Sequence, residues 1–368
     1  MVRKWVIATF LTALTLCTES SHGQADKTKR AIKDVDVYLA SQADGGQFRG
    51  SVLVGINGRI VFEKGYGFAD EEWNAPNTTQ TKFRIASLTK QFTAACILLL
   101  QERGRLTVHD PVSKYVSDLP EAWRAITIHQ LLTHTSGIPN YPGMPRIENE
   151  LNRTGATPRQ ILEVAASRPL DFSPGSKLQY TNTGYVLLGM VIEKVSGGSY
   201  GAFLQKEIFT PLEMTNSGYD MAATVLRQRA SGYMIHDGHV SNSDFIDMSI
   251  PFAAGGIYST VEDMYRWNEA LANGRLLSPA SVDQMFAVYP ETLFEGMHYG
   301  YGVVIAERFG RKLYYHGGGV KGFESVIQRY PMDHLCIVVL ENLDPASPWA
   351  IGDHIAASLF DQPSKTGN

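Results

Sequence analysis

The sequence predicts an α/β (α+β) protein: an antiparallel sheet flanked by N- and C-terminal helices, a mostly helical lobe, and an active site between the two. Three observations carry this. β texture appears early, in Gly50 to Ile56 and Arg59 to Gly67, and returns late, in Gly300 to Ile305, Lys312 to His316, Glu324 to Tyr330 and Leu335 to Leu340. Between these stretches run helical patterns separated by Pro/Gly loops: Thr127 to Leu132, Thr157 to Ser167, Gly184 to Ser196 and Tyr200 to Phe209. Helical segments also open and close this region, Thr28 to Leu39 and Trp349 to Phe360. Sheet pieces from both ends around a helical insert imply one α/β lobe, about 26–86 and 251–362, and one helical lobe, about 87–250. A cleft between such lobes is a natural ligand site.

Each element has a local reason. Gly50 to Ile56 is a short apolar run, and Asn57-Gly58 after it is a strong hairpin signal, which makes Arg59 to Gly67 the returning strand. Gln91 to Leu100 is apolar and rich in helix formers, with Arg103-Gly104 as its stop. Gly255 to Ala272 reads as one more helix before the β texture resumes.

Composition removes some functions. With 368 residues and 44% hydrophobic content the chain can bury a large core. A net charge of −4 gives no electrostatic footprint for nucleic acid. Arg3 and Lys4, an apolar stretch from Trp5 to Leu16 and a polar segment to Ala25 follow the order of a secretory signal, with cleavage after Gly23 or Ala25. The expectation is a signal peptide over 1–23, a single folded domain over 24–368, periplasmic or secreted location, and no stable membrane span once the signal is removed. Cys17 is bulky-flanked for a lipidation site, and Cys96 and Cys336 read as small buried hydrophobes rather than a disulfide scaffold.

Chemistry centres on Ser87-Leu88-Thr89-Lys90. In a helix starting near Ser87, the Lys90 ammonium lies on the same face as the Ser87 hydroxyl, and the helix N-terminus favours a developing oxyanion. An alcohol, an amine able to take its proton and a positive field make a nucleophile site. A second constellation is Tyr180-Thr181-Asn182, in a loop before the helix at Gly184: a phenol stabilised as phenolate near an ammonium can shuttle protons, and Asn182 can hold a substrate amide or Lys90. A third is His316-Gly317-Gly318-Gly319, where a β run ends in small residues that let a ligand lie along the strand edge. His316 there could supply a hydrogen bond or a positive charge.

In this order the three motifs resemble the serine β-lactamase and penicillin-binding protein superfamily, nearest its class C-like branch of D-Ala-D-Ala carboxypeptidases, D-aminopeptidases and family VIII esterases. Leu131 to Gly137, with His134, and Ala254 to Thr260 with Asp263 look familial too, and the resemblance spans roughly 30 to 360. It implies a β-lactamase/transpeptidase-like fold and an acyl-enzyme on Ser87. Lys90 and Tyr180 would share the acid–base role, Asn182 would hold substrate and lysine, and the N–H groups of Ser87 and Gly319 would bind the oxyanion, with Gly318 and His316 beside the substrate. No cofactor and no metal is implied. The partner is a small-molecule or peptide substrate: D-amino-acid peptides first, then esters, then β-lactams. His316 stands where class C β-lactamases carry a lysine, which favours the peptidase and esterase readings. The rival is a non-catalytic penicillin-binding sensor that stays acylated.

Other motifs fit less well. Lys365-Thr366-Gly367 lies in a polar tail, and Glu148 to Asn152 reads as a charged surface segment. Gly197-Gly198-Ser199-Tyr200-Gly201 spells a nucleophile elbow but follows a helix instead of a strand. His236 and His239 sit in a Gly-containing loop with no third ligand in view.

Overall fold

The computed structural model describes residues 26–362, apart from 290, 291 and 293. The leader-like segment and Lys365-Thr366-Gly367 therefore lie outside the described residues. A helix over residues 26–44 (α1) leads into a seven-stranded antiparallel sheet. Its strands are β1 (Gly50–Ile56), β2 (Arg59–Tyr66), β3 (His298–Tyr299), β4 (Val304–Arg308), β5 (Arg311–Val320), β6 (Phe323–Tyr330) and β7 (Leu335–Glu341), in spatial order β3-β4-β5-β6-β7-β1-β2.

The early hairpin thus docks on the last strand of the chain: Val52 opposes Val339 and Val54 opposes Ile337. Buried almost end to end, β1 suits an interior position. β2, carrying Arg59, Glu63 and Lys64, is an exposed edge, where charge discourages pairing with another chain. The β1–β2 turn is Asn57-Gly58 with φ of 52° and 72°, the left-handed pair a two-residue hairpin requires.

Side-chain alternation gives the sheet two cores. Val52, Val54, Val326, Ile337 and Val339 face α1 and the closing helix α7 (Pro348–Leu359), meeting Val35, Leu39, Ile351 and Ile355. Leu53, Ile327, Val338 and Leu340 face the larger core, built around α2 (Thr89–Glu102), α5 (Asn182–Ser196) and α6 (Val261–Ala272). Residues 89–100 of α2 are all buried, so this helix is enclosed on every side. The helices α3 (Ile128–Leu132) and α4 (Pro158–Ala165) each start on a threonine–glutamine capping box.

Several local expectations are corrected. Gly317 to Gly319 do not end the strand; β5 runs on to Val320, because β6 supplies a partner to the last residue. Gly300 to Val303 is a turn between β3 and β4. Ile257–Ser259, inside the expected helix, is a short strand joining Phe83–Arg84 to Gly218–Tyr219. Asn182 opens α5 instead of lying in the loop before it. His236 and His239 pair across a hairpin, and among the described residues no group of metal-binding side chains forms. Cys96 and Cys336 are buried free thiols, and no described helix is long and apolar enough to cross a membrane.

Candidate active site

Ser87 sits in a single 3-10 turn, Ala86–Leu88, that feeds directly into α2. Ala86 holds a φ of 45°, a left-handed conformation unusual for a side-chain-bearing residue. Lys90, one residue into the α-helix, is fully buried, yet its nitrogen is well supplied with partners. It lies 3.1 Å from Ser87 Oγ, 2.8 Å from Asn182 Oδ1 and 2.8 Å from the carbonyl oxygen of Ala254. No carboxylate is among these partners, and burial pushes the Lys90 pKa well below its ordinary value. A neutral amine fits the three contacts: two N–H groups donate to the two carbonyl oxygens, and the lone pair faces the serine O–H.

Tyr180 comes from the loop before α5. Its phenol faces the Ser87 hydroxyl, and Lys90 Nζ lies 4.8 Å from its ring centroid. The residue is 36% exposed, while its phenol is enclosed enough that burial raises its pKa. This corrects the expected phenolate. With Lys90 neutral there is no cation to stabilise one, and Tyr180 stands as an O–H donor.

The glycine strand closes the other side. β4 pairs with β5 only as far as Tyr315, so from His316 to Val320 the outer edge of β5 has no strand partner among the described residues. Gly318 lies against the Ser87 turn: a Cβ there would come 2.4 Å from the Ile85 carbonyl oxygen and 2.9 Å from Ser87 N. Ser325 Oγ donates to that same carbonyl at 3.0 Å, tying β6 to the turn. Gly319 borders the cleft.

His316 does not project a free nitrogen. It is 5% exposed; Nε2 lies 2.9 Å from the Tyr299 hydroxyl and Nδ1 donates to the Gly317 carbonyl. Burial pushes its pKa down to about 3. The positive charge expected of this position is therefore absent at neutral pH.

The cleft itself is a cavity of about 180 Å³ that reaches Ser87, Asn182 and Gly319. Its wall is mainly apolar, with Tyr141, Ile147, Ile246, Ile250 and Val320. Two charged residues border it, Glu148 and Lys321. Lys321 is paired with Asp244 at 3.3 Å; Glu148 accepts from Asn152 Nδ2 at 2.9 Å and from Gly143 N–H at 3.1 Å.

The structure thus gathers Lys90, Tyr180 and Gly318 around Ser87, sets Ser87, Asn182 and Gly319 on the cleft wall, and leaves His316 off that wall. Sequence reasoning missed Ala254, whose contribution is a backbone carbonyl that no residue type announces. It also missed Glu148 and Tyr141, which reach the cleft only through the course of the segment after Gly137.

The chain is similar to several known proteins. Penicillin-binding protein 4* of Bacillus subtilis (strain 168) is 29% identical over 90% of this chain and 76% of its own length. The octameric penicillin-binding protein homologue from Pyrococcus abyssi superposes with a TM-score of 0.79 at 30% identity, covering 91% of this chain and 78% of that one. The D-amino acid amidase from Ochrobactrum anthropi SV3, complexed with L-phenylalanine amide, gives a TM-score of 0.80 at 25% identity, covering 91% and 99%. The family model described as Beta-lactamase matches residues 36–359, and the chain belongs to that family.

Proposed function

We propose that the protein is an exported serine hydrolase that cleaves amides and short peptides of D-amino acids through an acyl-enzyme on Ser87. The observation that carries this is the Lys90 nitrogen, held by two carbonyl oxygens with its third direction 3.1 Å from Ser87 Oγ. Neutral Lys90 takes the serine proton as Oγ forms a bond to the substrate carbonyl carbon. The carbonyl oxygen becomes an oxyanion facing the Ser87 and Gly319 N–H groups. As the C–N bond breaks, Tyr180 gives its proton to the leaving nitrogen, and the Lys90 ammonium passes the proton it took from serine to the Tyr180 oxygen, leaving amine and phenol neutral again. Water, deprotonated by the same pair, then attacks the ester; the acid departs and Ser87 regains its proton.

The cleft favours an apolar acyl residue bearing an amino group. Its walls are aliphatic and aromatic, and the Glu148 carboxylate at the rim suits an ammonium. A substrate carboxylate finds less: His316 is neutral and engaged, and Lys321 already faces Asp244. On this support we rank amidase and aminopeptidase chemistry ahead of the carboxypeptidase reading, with small esters next and β-lactams last. The amidase neighbour, complexed with L-phenylalanine amide, supports the same ranking.

The test is a side-by-side assay of D-phenylalanine amide, a D-Ala-D-Ala peptide, a p-nitrophenyl ester and nitrocefin, using wild type and Ser87→Ala. Turnover highest on the amide and lost in Ser87→Ala is expected. A persistent mass adduct on Ser87 without turnover would instead identify the acylated sensor.

A further inference from the structure

His134 is fully buried and takes no part in the mechanism above. It holds a φ of 59° at the end of α3, and this turn aims both its carbonyl and its ring at the loop that carries Tyr180. The carbonyl oxygen of His134 accepts from Gln179 N–H at 2.9 Å, and its Nδ1 accepts from Thr181 N–H at 3.2 Å. These are the residues on either side of Tyr180. The His134 ring also packs on the Tyr180 ring, with centroids 4.3 Å apart. The other ring nitrogen, Nε2, has no hydrogen-bond partner among the described residues. A buried imidazole with one nitrogen unpartnered is costly, so a hydrophobic filler would be the cheaper occupant if packing were the only task. The next contact along reinforces the pattern: Asn140 Oδ1 accepts from Asn182 N–H at 2.7 Å.

From this geometry we infer that His134 is a positioning residue for Tyr180, setting the phenol's place by gripping the backbone on both sides of it and the ring face between. The inference rests on the acid–base role proposed for Tyr180. The grip through Nδ1 needs an acceptor in that place, and the ring contact needs a flat face; the two can be separated. His134→Phe keeps a ring and removes the acceptor. His134→Asn keeps an acceptor close to the position of Nδ1, and asparagine tolerates the left-handed backbone.

The experiment measures kcat and KM on the best amide or ester substrate for both variants, each also in a Tyr180→Phe background. His134→Phe is expected to lower kcat about 10-fold or more with KM within twofold, and His134→Asn to stay within about threefold of wild type. In the Tyr180→Phe background, His134→Phe should cost nothing further. An equal loss in both backgrounds overturns the inference, as does a His134→Asn variant that folds with the wild-type melting temperature yet is as slow as His134→Phe. Full activity of Tyr180→Phe with native His134 is a separate result, which overturns the acid–base reading itself. Should His134→Phe fail to fold, His134→Leu, which also removes the acceptor, takes its place in both backgrounds: a loss of kcat confined to the native Tyr180 background supports the inference, and an equal loss in both, or no loss in either, overturns it.

Discussion

The Lys90 nitrogen lies 2.8 Å from the carbonyl oxygen of Ala254, a backbone acceptor that receives a hydrogen but brings no negative charge. Asn182 contributes a second acceptor of the same neutral kind. A lysine buried among such partners is held in place without being stabilised as a cation, which lets it act as a base near neutrality. Lys90→Met should therefore lower kcat/KM by at least about 10²-fold, the usual contribution of an acid–base group. In the wild type the neutral form is the active one, so activity should be lost as pH falls through a midpoint far below that of an ordinary lysine. A pH profile of kcat/KM checks this, and a midpoint near the ordinary lysine value would refute it.

Asn182→Asp puts the electrostatic argument to a sharper test. The substitution is nearly isosteric but sets a carboxylate about 3 Å from the amine, favouring the ammonium. The acid limb of the pH profile should move upward by at least about one unit, and activity at neutral pH should fall accordingly. A limb that stays in place would mean that Lys90 is not the titrating group.

Gly318 and Gly319 are adjacent in sequence yet face opposite obstacles. A Cβ on Gly318 would strike the Ile85 carbonyl and the Ser87 nitrogen, backbone atoms of the turn that carries Ser87. A Cβ on Gly319 would meet only the Glu324 carboxylate, 2.8 Å away at the end of a flexible side chain. Gly318→Ala should therefore lose turnover by orders of magnitude or fail to accumulate as folded protein, while Gly319→Ala keeps most of its activity. Expression, melting temperature and ester hydrolysis of the two variants settle the contrast.

These residues show what the sequence could and could not reveal. The hairpin at Asn57-Gly58 was legible because its backbone demands are local, and so was the buried helix after Ser87. The motif residues were legible because each carries its chemistry in its own side chain. The length of β5 was not, since Gly317 to Gly319 have poor strand propensity and are held extended by pairing with Val326, Ser325 and Glu324. Protonation was not legible either: whether Tyr180 is a phenol or a phenolate depends on whether Lys90 is charged, and that follows from burial among carbonyl oxygens supplied from positions 182 and 254. His316 was misjudged for the same reason, its partner Tyr299 lying across a turn that local pattern reads as strand.

Stability should carry the mark of His316. Its folded pKa is depressed to about 3, below the ordinary histidine value of 6.5. Between those values the unfolded chain binds a proton that the native state refuses, so this contribution to stability is full above about pH 6.5 and declines as pH falls toward 3. Substituting His316 by asparagine should remove one proton's worth of slope, about 1.4 kcal/mol per pH unit, from the acid side of the stability curve. Denaturant unfolding of both proteins at several pH values measures it, and identical slopes would contradict the buried neutral imidazole.

Glu148 offers the means to distinguish the proposed substrates from one another. It is the carboxylate at the cavity wall, steadied by Asn152 and by the Gly143 N–H, and no cation is paired with it in the described structure. If it receives the amino group of a D-aminoacyl substrate, the contact exists in both the ground state and the transition state, so its loss should raise KM more than it lowers kcat. Glu148→Gln keeps the size and the ability to accept from Asn152 while removing the charge. For D-phenylalanine amide, KM should rise about 10-fold, in line with an exposed charge-assisted contact of one to two kcal/mol. For p-nitrophenyl butyrate, which has no amino group, both constants should remain as in the wild type. Equal losses on the two substrates would assign Glu148 to holding the cleft wall, and no change on either would remove it from substrate recognition.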